Sequence, residues 1–230
     1  MRVVIFIQSI LFQFSPNLLN FCPYNFPLPL LLKQDMEAVI RIPMFPLSIF
    51  PLPGEMVPLH IFEPRYRQLL RDAEERDIPF GIYFNHTLNT SKFGSLVKLE
   101  SVIKRYPGGE SDIIVKCQDV FRMDTLFRTY KEKLYPGGDV SYFHVNLQGQ
   151  VSPRLHEAFE EFMRLLKITQ VTAPVSIYHI ANELNLDFED RLKFVELDSE
   201  KKEGFLAGRL KFQKHLLQQA EKVKDVFHLN

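Results

Sequence analysis

The stretch Ile42–Leu70, IPMFPLSIFPLPGEMVPLHIFEPRYRQLL, carries most of the information about the fold. Six prolines fall within residues 40–64 and argue against long central strands, because proline has no N–H to donate to a neighbouring strand. Short strands fit at Ile40–Phe45 and at Met56–Phe62, where apolar residues alternate. Pro53-Gly54 supplies the turn between them, so the stretch predicts two short strands.

Working outward, a helix is predicted over residues 64–77, because proline suits the first turn of a helix. Its apolar face consists of Tyr66, Leu69, Leu70 and Ala73. Residues 80–84 predict a strand, and residues 94–123 predict a hairpin with its turn at Pro107-Gly108-Gly109. A second Tyr-Pro-Gly-Gly at 135–138 predicts another turn.

From Ser152 onward the apolar residues recur at helical spacing. Helices are predicted to start after Ser152 and to cover residues 176–184, 189–197 and 200–226. The last one has two apolar stripes, which predict two packing partners, with Gly204 and Gly208 allowing close approach. The whole pattern predicts an α+β protein, with a mostly antiparallel β lobe at 39–148 followed by a C-terminal helical bundle at 149–230.

Residues 1–38 differ from the rest, since the first 35 carry only three charged side chains, Arg2, Lys33 and Asp35. The apolar run Val3–Phe14 is interrupted by polar residues and is too short to span a membrane. We therefore expect a disordered extension or a misassigned start, with translation beginning at Met36. A signal peptide, a lipid-surface anchor, or an integral strand or helix are the alternatives.

Composition narrows the class of protein. Lys plus Arg and Asp plus Glu number 28 each, and the resulting zero net charge argues against a dedicated nucleic-acid binder. Apolar residues make up 46%, which is typical of a globular chain. Two cysteines cannot form a disulfide scaffold and fit a reducing compartment, so we expect a cytoplasmic protein if translation starts at Met36.

Sequence signatures of catalysis are weak. Phosphate-binding, dinucleotide-binding and paired-cysteine motifs are missing, and the seven histidines are scattered, so we expect no metal and no cofactor. Ser101/Lys104 and Ser199/Lys202 have the S-x-x-K spacing, but the first pair points to opposite faces of a strand and the second is explained by helix capping. Cys117 is predicted to be a buried thiol. We expect no catalytic residue.

The stretch quoted above resembles the start of the Lon protease N-terminal domain. That family has an I-P-x-F-P-L segment, then P-G, then L-x-I-F-E-P-R-Y and a helix. The matching residues are Ile42, Pro43, Phe45, Pro46, Leu47, Pro53, Gly54, Leu59, Ile61, Phe62, Glu63, Pro64, Arg65 and Tyr66. Phe121-Arg122 resembles a later strand of the family, although the usual glycine is missing. Ala181, Leu184, Leu186, Arg191, Glu196, Arg209 and Leu210 resemble its helical half.

This resemblance implies a PUA-like β lobe with a helical bundle. It also implies a proteolysis-related substrate-binding role, in which the domain recognises unfolded or tagged polypeptides. The family's ATPase and peptidase domains are not represented in this sequence, so the resemblance implies a stand-alone, non-enzymatic form. Within the quoted stretch, Phe45, Leu59, Ile61 and Phe62 are expected in the core, and Met44, His60 and Tyr66 are the candidates for the rim of an apolar binding patch.

The function expected from the sequence is therefore a non-enzymatic polypeptide-binding module, with an adaptor role for a protease or chaperone in protein quality control. The alternative is RNA or small-molecule binding by the PUA-like lobe. The basic last helix could supply phosphate contacts for RNA, although a solvated helix face explains its charges equally simply.

Overall fold

The computed structural model of the chain describes residues 40–168 and 175–227, with side chains as far as residue 220. The extension predicted at residues 1–38 lies outside the described residues. The elements in chain order are β1 Ile40–Leu47, β2 Met56–Ile61, α1 Pro64–Arg76, β3 Phe80–Phe84, β4 Phe93–Arg105, β5 Ser111–Phe127, β6 Gly137–Tyr142, α2 Pro153–Leu165, α3 Ile177–Glu183, α4 Phe188–Glu196 and α5 Ser199–Phe227. The predicted α+β class is confirmed.

The six strands form one mixed sheet in the order β2-β5-β4-β3-β1-β6. β1 and β3 are parallel, and the remaining neighbours are antiparallel. The 17-residue strand β5 pairs with β2 through its first half and with β6 through its second half. Strands β5, β4, β3, β1 and β6 therefore close into a barrel, and β2 remains an edge strand outside it.

Helix α1 covers one side of the sheet with the apolar face that its sequence predicts. Tyr66, Leu69, Leu70 and Ala73 are buried against a cluster that includes Phe45, Ile61, Ile82, Val97, Ile113 and Val115. The helix ends at Asp77, whose left-handed conformation (φ 52°) stops it two residues before Pro79.

A larger cluster joins the loop before β2 to the C-terminal helices. Phe50 and Leu52 from that loop pack with Phe159 of α2, Phe194 of α4 and Leu206 of α5. The cluster draws residues from both sides of position 148, so the division into lobes at 39–148 and 149–230 stays a prediction.

The helix starts in the C-terminal half follow from their capping residues. The Leu155 N–H donates to Ser152 Oγ at 3.4 Å, and the His179 N–H donates to Ser176 Oγ at 3.2 Å. Each side chain satisfies an N–H that has no partner within its helix. The predicted start after Ser152 is therefore confirmed.

The turn predicted at 135–138 is wrong, because Gly137 and Gly138 begin strand β6. Gly138 pairs with Ile42 of β1 and with Leu126 of β5. A Cβ at this position would lie 2.5 Å from the Met44 side chain, so the glycine admits close packing and does not make a turn.

Helix α5 contacts two neighbours, α2 and α3, as its two apolar stripes predict, but the described side chains of the two stripes are not equally buried. Leu206 and Leu210 are buried, whereas Phe212 and Leu216 of the other stripe are half-exposed. Nothing lies within 4 Å of a Cβ placed on Gly204 or on Gly208, so no neighbouring element packs closely against the helix at either glycine.

Candidate polypeptide-binding surface

Edge strand β2 presents an apolar face to solvent. Met56, Pro58 and His60 alternate along the strand and are exposed, and Phe62 follows directly after it. Met56 is 57% exposed and Phe62 is 56% exposed, which is unusual for side chains of this size. The face is completed by the half-buried Ile114 of β5, which lies opposite Pro58. We call these five residues the β2 face.

The length of the β2 face suits an extended chain segment. Met56 and Phe62 are six residues apart on an extended backbone, which places them roughly 20 Å from each other. A bound segment of about six residues could therefore contact both side chains at once.

A polar cluster borders the face at the end nearer Phe62. His60 Nδ1 lies 2.6 Å from Asp112 Oδ1, and the Tyr106 hydroxyl donates to Asp112 Oδ2 at 2.6 Å. These hydrogen bonds, from Tyr106 and then from His60, hold the pKa of Asp112 below its usual range. The His60 ring stacks on Phe62 with centroids 5.9 Å apart, so the cluster fixes an aromatic pair at the surface.

The free edge of β2 is a poor template for another strand. Pro58 stands in the middle of the six-residue strand and has no N–H to donate. A partner is therefore expected to bind the side chains of the β2 face and not the backbone at the edge of the strand.

The structure separates the three candidate residues named from sequence. Met44 is fully buried under Phe121 and Val140, and Tyr66 is 5% exposed, with its ring centroid 4.0 Å from that of Phe45. Neither side chain can border a surface patch. His60 is exposed and belongs to the β2 face.

Four of the five residues of the β2 face are not among the candidates predicted from sequence. The two most exposed are Met56 and Phe62, and Phe62 is predicted from sequence to lie in the core. The alternation of Val57, Leu59 and Ile61 against the next residues already places Phe62 on the same side as His60. That alternation was the signal that could have found it.

Arg191, which the sequence analysis matched to the helical half, braces the loop before β2. Its guanidinium donates to Glu55 Oε2 at 2.6 Å, to the Phe50 carbonyl at 2.9 Å and to the Leu186 carbonyl at 2.8 Å. Glu55 also accepts the Leu52 N–H at 2.9 Å. Arg191 is buried, and these bonds connect its guanidinium to the loop and hold the loop in position.

An apolar cleft of about 460 Å³ lies beside this brace. Ile49, Val57, Leu186 and Phe188 contribute apolar walls, and Glu55 with Arg191 forms one end. Val57 points away from the β2 face, so the cleft is a separate surface.

The nucleophile candidates lack the geometry for catalysis. Cys117 is 1% exposed, and burial raises the pKa of its thiol, which keeps it protonated. An irregularity between Val102 and Lys104 places Ser101 opposite Ile114 and Lys104 opposite Asp112, so the two side chains lie on one face of the sheet and not on opposite faces as expected, but no hydrogen bond joins them. Ser199 and Lys202 line one cleft, but no hydrogen bond joins them. A serine activated by a lysine would need that bond.

Within residues 40–168 and 175–227, no three His, Cys, Asp or Glu side chains are grouped as a metal site would require. None of the helices described there is both long enough and apolar enough to cross a membrane.

Comparison with known proteins relates the chain to one protein family and to solved structures of similar fold. The family model for the substrate-binding domain of ATP-dependent protease La (LON) matches residues 41–202. The crystal structure of the Lon N-terminal domain protein from Xanthomonas campestris is 22% identical and superposes with a TM-score of 0.57, covering 77% of this chain and 98% of that one. The N-terminal domain of Mycobacterium avium complex Lon protease is 15% identical, with a TM-score of 0.54, covering 75% and 98%.

A search of curated proteins gave no match. The two solved structures support the fold, and the family model covers more than half of the chain with a substrate-binding domain and not a catalytic one. The chain belongs to the LON substrate-binding domain family.

Proposed function

We propose that this protein is a non-enzymatic polypeptide-binding module whose β2 face captures exposed apolar segments of unfolded or tagged proteins. The observation that carries the proposal is the exposure of Met56 and Phe62 on one face of an edge strand. Large apolar side chains grouped at a surface are typical of sites that bind other chains. The family's substrate-binding role supports the same conclusion.

The chemistry of the face favours promiscuous capture over recognition of one sequence. Methionine is flexible and polarisable, so it adapts to side chains of different shape. The stacked pair of His60 and Phe62 offers a rigid aromatic surface beside it. Together they suit a partner defined by exposed apolar residues.

In the cell, the module would act in the cytoplasm as an adaptor in protein quality control. It would hold an unfolded chain while a protease or a chaperone processes it. The buried, protonated Cys117 and the absence of a hydrogen-bonded Ser-Lys pair in the described residues support a binding role without catalysis of its own.

The test compares two substitutions of matched exposure. Phe62→Ser removes a 56% exposed phenylalanine from the β2 face, and Phe212→Ser removes a 55% exposed phenylalanine from α5. Binding of a fluorescently labelled, permanently unfolded protein such as reduced and carboxymethylated α-lactalbumin is measured by anisotropy. We expect Phe62→Ser to weaken binding about tenfold or more, since a large apolar contact is lost.

Phe212→Ser should leave the affinity within about twofold of the unsubstituted protein, because it removes the same apolar surface elsewhere. Equal losses in both variants would contradict the assignment of the site to the β2 face. No binding by the unsubstituted protein at high micromolar concentration would contradict the function. Binding of RNA that disappears steeply with salt would assign a different class of partner.

A further inference from the structure

A cleft of about 380 Å³ lies where the segment after β6 meets the first turns of α3 and α5. Its walls include Phe143, His144, Val145, Tyr178, Ser199 and Lys202. Asp119 holds the wall in place, because its carboxylate accepts the N–H groups of His144 at 3.1 Å and Val145 at 3.2 Å. The wall of the cleft between β6 and the helices is therefore held in place by hydrogen bonds.

Lys202 contributes the buried charge of this cleft. Its side chain belongs to a residue only 9% exposed, and its ammonium nitrogen lies 5.8 Å from the Tyr178 ring centroid and 5.5 Å from that of Phe194. Among the described residues, no acid lies within salt-bridge distance of this ammonium and no hydrogen bond ends on it. The nearby carboxylate of Asp198 instead binds Lys201 at 2.9 Å.

The Lys202 side chain is largely buried and has no counter-ion among the described residues, and this burial disfavours the charged form of the ammonium. Burial lowers the pKa of Lys202, while the charge of Asp198 acts in the opposite direction without cancelling the effect. An anion bound in the cleft would restore the stability of the charged form.

The surroundings select the kind of anion. The N-terminal end of the 29-residue helix α5 adds partial positive charge at Ser199. Glu203 lies on the same wall but forms no ion pair with Lys202, and its Oε1 accepts the Ser152 N–H at 2.9 Å. The negative charge of Glu203 would repel a dianion such as phosphate more strongly than it would repel a monoanion. Phe143 and Val145 line the rest of the cleft with apolar surface.

We propose that the cleft binds a carboxylate carried on a small apolar body, with the Lys202 ammonium as its counter-ion. The carboxylate is that of a polypeptide C-terminus or of a free carboxylic acid, which present the same chemistry. The site lies apart from the β2 face and does not depend on the function proposed for it.

The experiment uses three probes with the full chain, measured by isothermal titration calorimetry. One is a ten-residue peptide ending in leucine with a free carboxylate, the second is the same peptide with a C-terminal amide, and the third is N-acetyl-leucine. The free-carboxylate peptide should bind at least roughly tenfold more tightly than the amide, since a hydrogen bond to a charged group is lost in the amide. N-acetyl-leucine separates the two sources, because binding of this acid without the peptide assigns the site to a free carboxylic acid.

Two variants assign any such preference to the cleft. Lys202→Met removes the ammonium and should abolish the difference between the acid and the amide, whereas Lys201→Met changes an exposed neighbour and should keep it. In the unsubstituted protein, side-chain NMR should show the pKa of Lys202 rising when the acid binds.

Equal affinity for the acid and amide peptides together with no binding of N-acetyl-leucine, or binding of the acid that is unchanged by Lys202→Met, would overturn the proposal. The double variant Met56→Ser and Phe62→Ser should retain the preference for the acid. Failure of the cleft and failure of the β2 face are thereby told apart.

Discussion

The Arg191 guanidinium connects helix α4 to the loop before β2 through bonds to Glu55 and to the Phe50 carbonyl. The Arg191 side chain is 10% exposed, whereas that of Arg65, which pairs with Glu63, is 47% exposed. The two ion pairs differ in what their loss costs, because Arg191 is buried and the side chain of its partner Glu55 is only 27% exposed, so the carboxylate left alone is incompletely solvated.

Arg191→Met should lower the free energy of unfolding by about 3–5 kcal/mol, because it leaves Glu55 without its charged partner. The control Arg65→Met should cost less than about 1 kcal/mol, as is usual for an exposed pair. Urea unfolding monitored by circular dichroism measures both. A cost for Arg191→Met no larger than that of the control would show that the brace is unimportant.

Asp72 is a second buried charge with a structural role. Its carboxylate on α1 accepts the Tyr135 hydroxyl at 2.6 Å and the Lys133 ammonium at 2.9 Å. Burial acts to raise the pKa of Asp72, but these two hydrogen bonds and the charge of Lys133 outweigh it, and the pKa is lowered. The carboxylate therefore ties α1 to the segment before β6 in its charged form.

The lowered pKa makes this contribution depend on pH. A group whose folded-state pKa is lowered stabilises the fold above its ordinary pKa, near 4, and the stabilisation is lost as pH falls through the folded-state value. Asp72→Asn should therefore be less stable than the unsubstituted protein by about 1–3 kcal/mol at pH 7. The gap should narrow as pH falls from about 4 towards 2.

Tyr135→Phe, which removes one of the two hydrogen bonds, should show a smaller gap with the same dependence on pH. Unfolding in urea at pH 7, 4, 3 and 2 provides the measurement. A gap for Asp72→Asn that stays constant over this range would contradict the assignment of the effect to the ionised carboxylate.

At the scale of elements, some glycines are required because strands pack closely against them, and others lie in helices where no neighbour requires a glycine. A Cβ on Gly94 in β4 would contact the Phe121 ring and lie 2.8 Å from the Ile82 carbonyl oxygen, whereas a Cβ on Gly208 in α5 would meet nothing within 4 Å. Gly94 therefore serves the packing of the barrel, and Gly208 serves no packing in the described residues.

Gly94→Ala should lower the free energy of unfolding by about 1–3 kcal/mol, because strand backbone and a buried ring must shift. Gly208→Ala should raise it by about 0.5–1 kcal/mol, because alanine is the better helix former at an open position. Thermal unfolding followed by calorimetry compares the two. Destabilisation by Gly208→Ala would indicate an unseen neighbour on that side of α5.

Local signals made most elements predictable from sequence. Pro64 predicts the start of α1, and Ser152 predicts the start of α2 because its side chain caps that helix. The sequence alone could not distinguish the second glycine pair, Gly137-Gly138, from a turn. Gly138 is required because the Met44 side chain of another strand packs against it. Long-range packing of this kind leaves no trace in the neighbouring sequence.

The candidate site was less predictable for the same reason. Met44 lies in a run of four consecutive buried residues, Ile42–Phe45, because β1 sits between β3 and β6 and has both faces covered. On β2 one face is open, and the same kind of residue, Met56, is exposed. Only the position of each strand in the sheet distinguishes the two methionines.

At the scale of the whole molecule, the barrel and the helices present two surfaces of different chemistry. The β2 face offers apolar side chains on an edge strand, and the cleft at Lys202 offers a buried positive charge. The core cluster that joins Phe50 to α4 and α5 keeps the loop before β2 and the helices in one packed body. This packing gives the β2 face a rigid support.

Methyl NMR of the methionines tests the central claim most directly, because the spectrum contains its own control. The protein is labelled at the methionine methyl groups and titrated with reduced, carboxymethylated α-lactalbumin. Binding at the β2 face predicts that the methyl resonance of the exposed Met56 shifts and broadens, while that of the fully buried Met44 stays in place. An unchanged Met56 resonance under conditions where the unfolded protein binds would contradict the account.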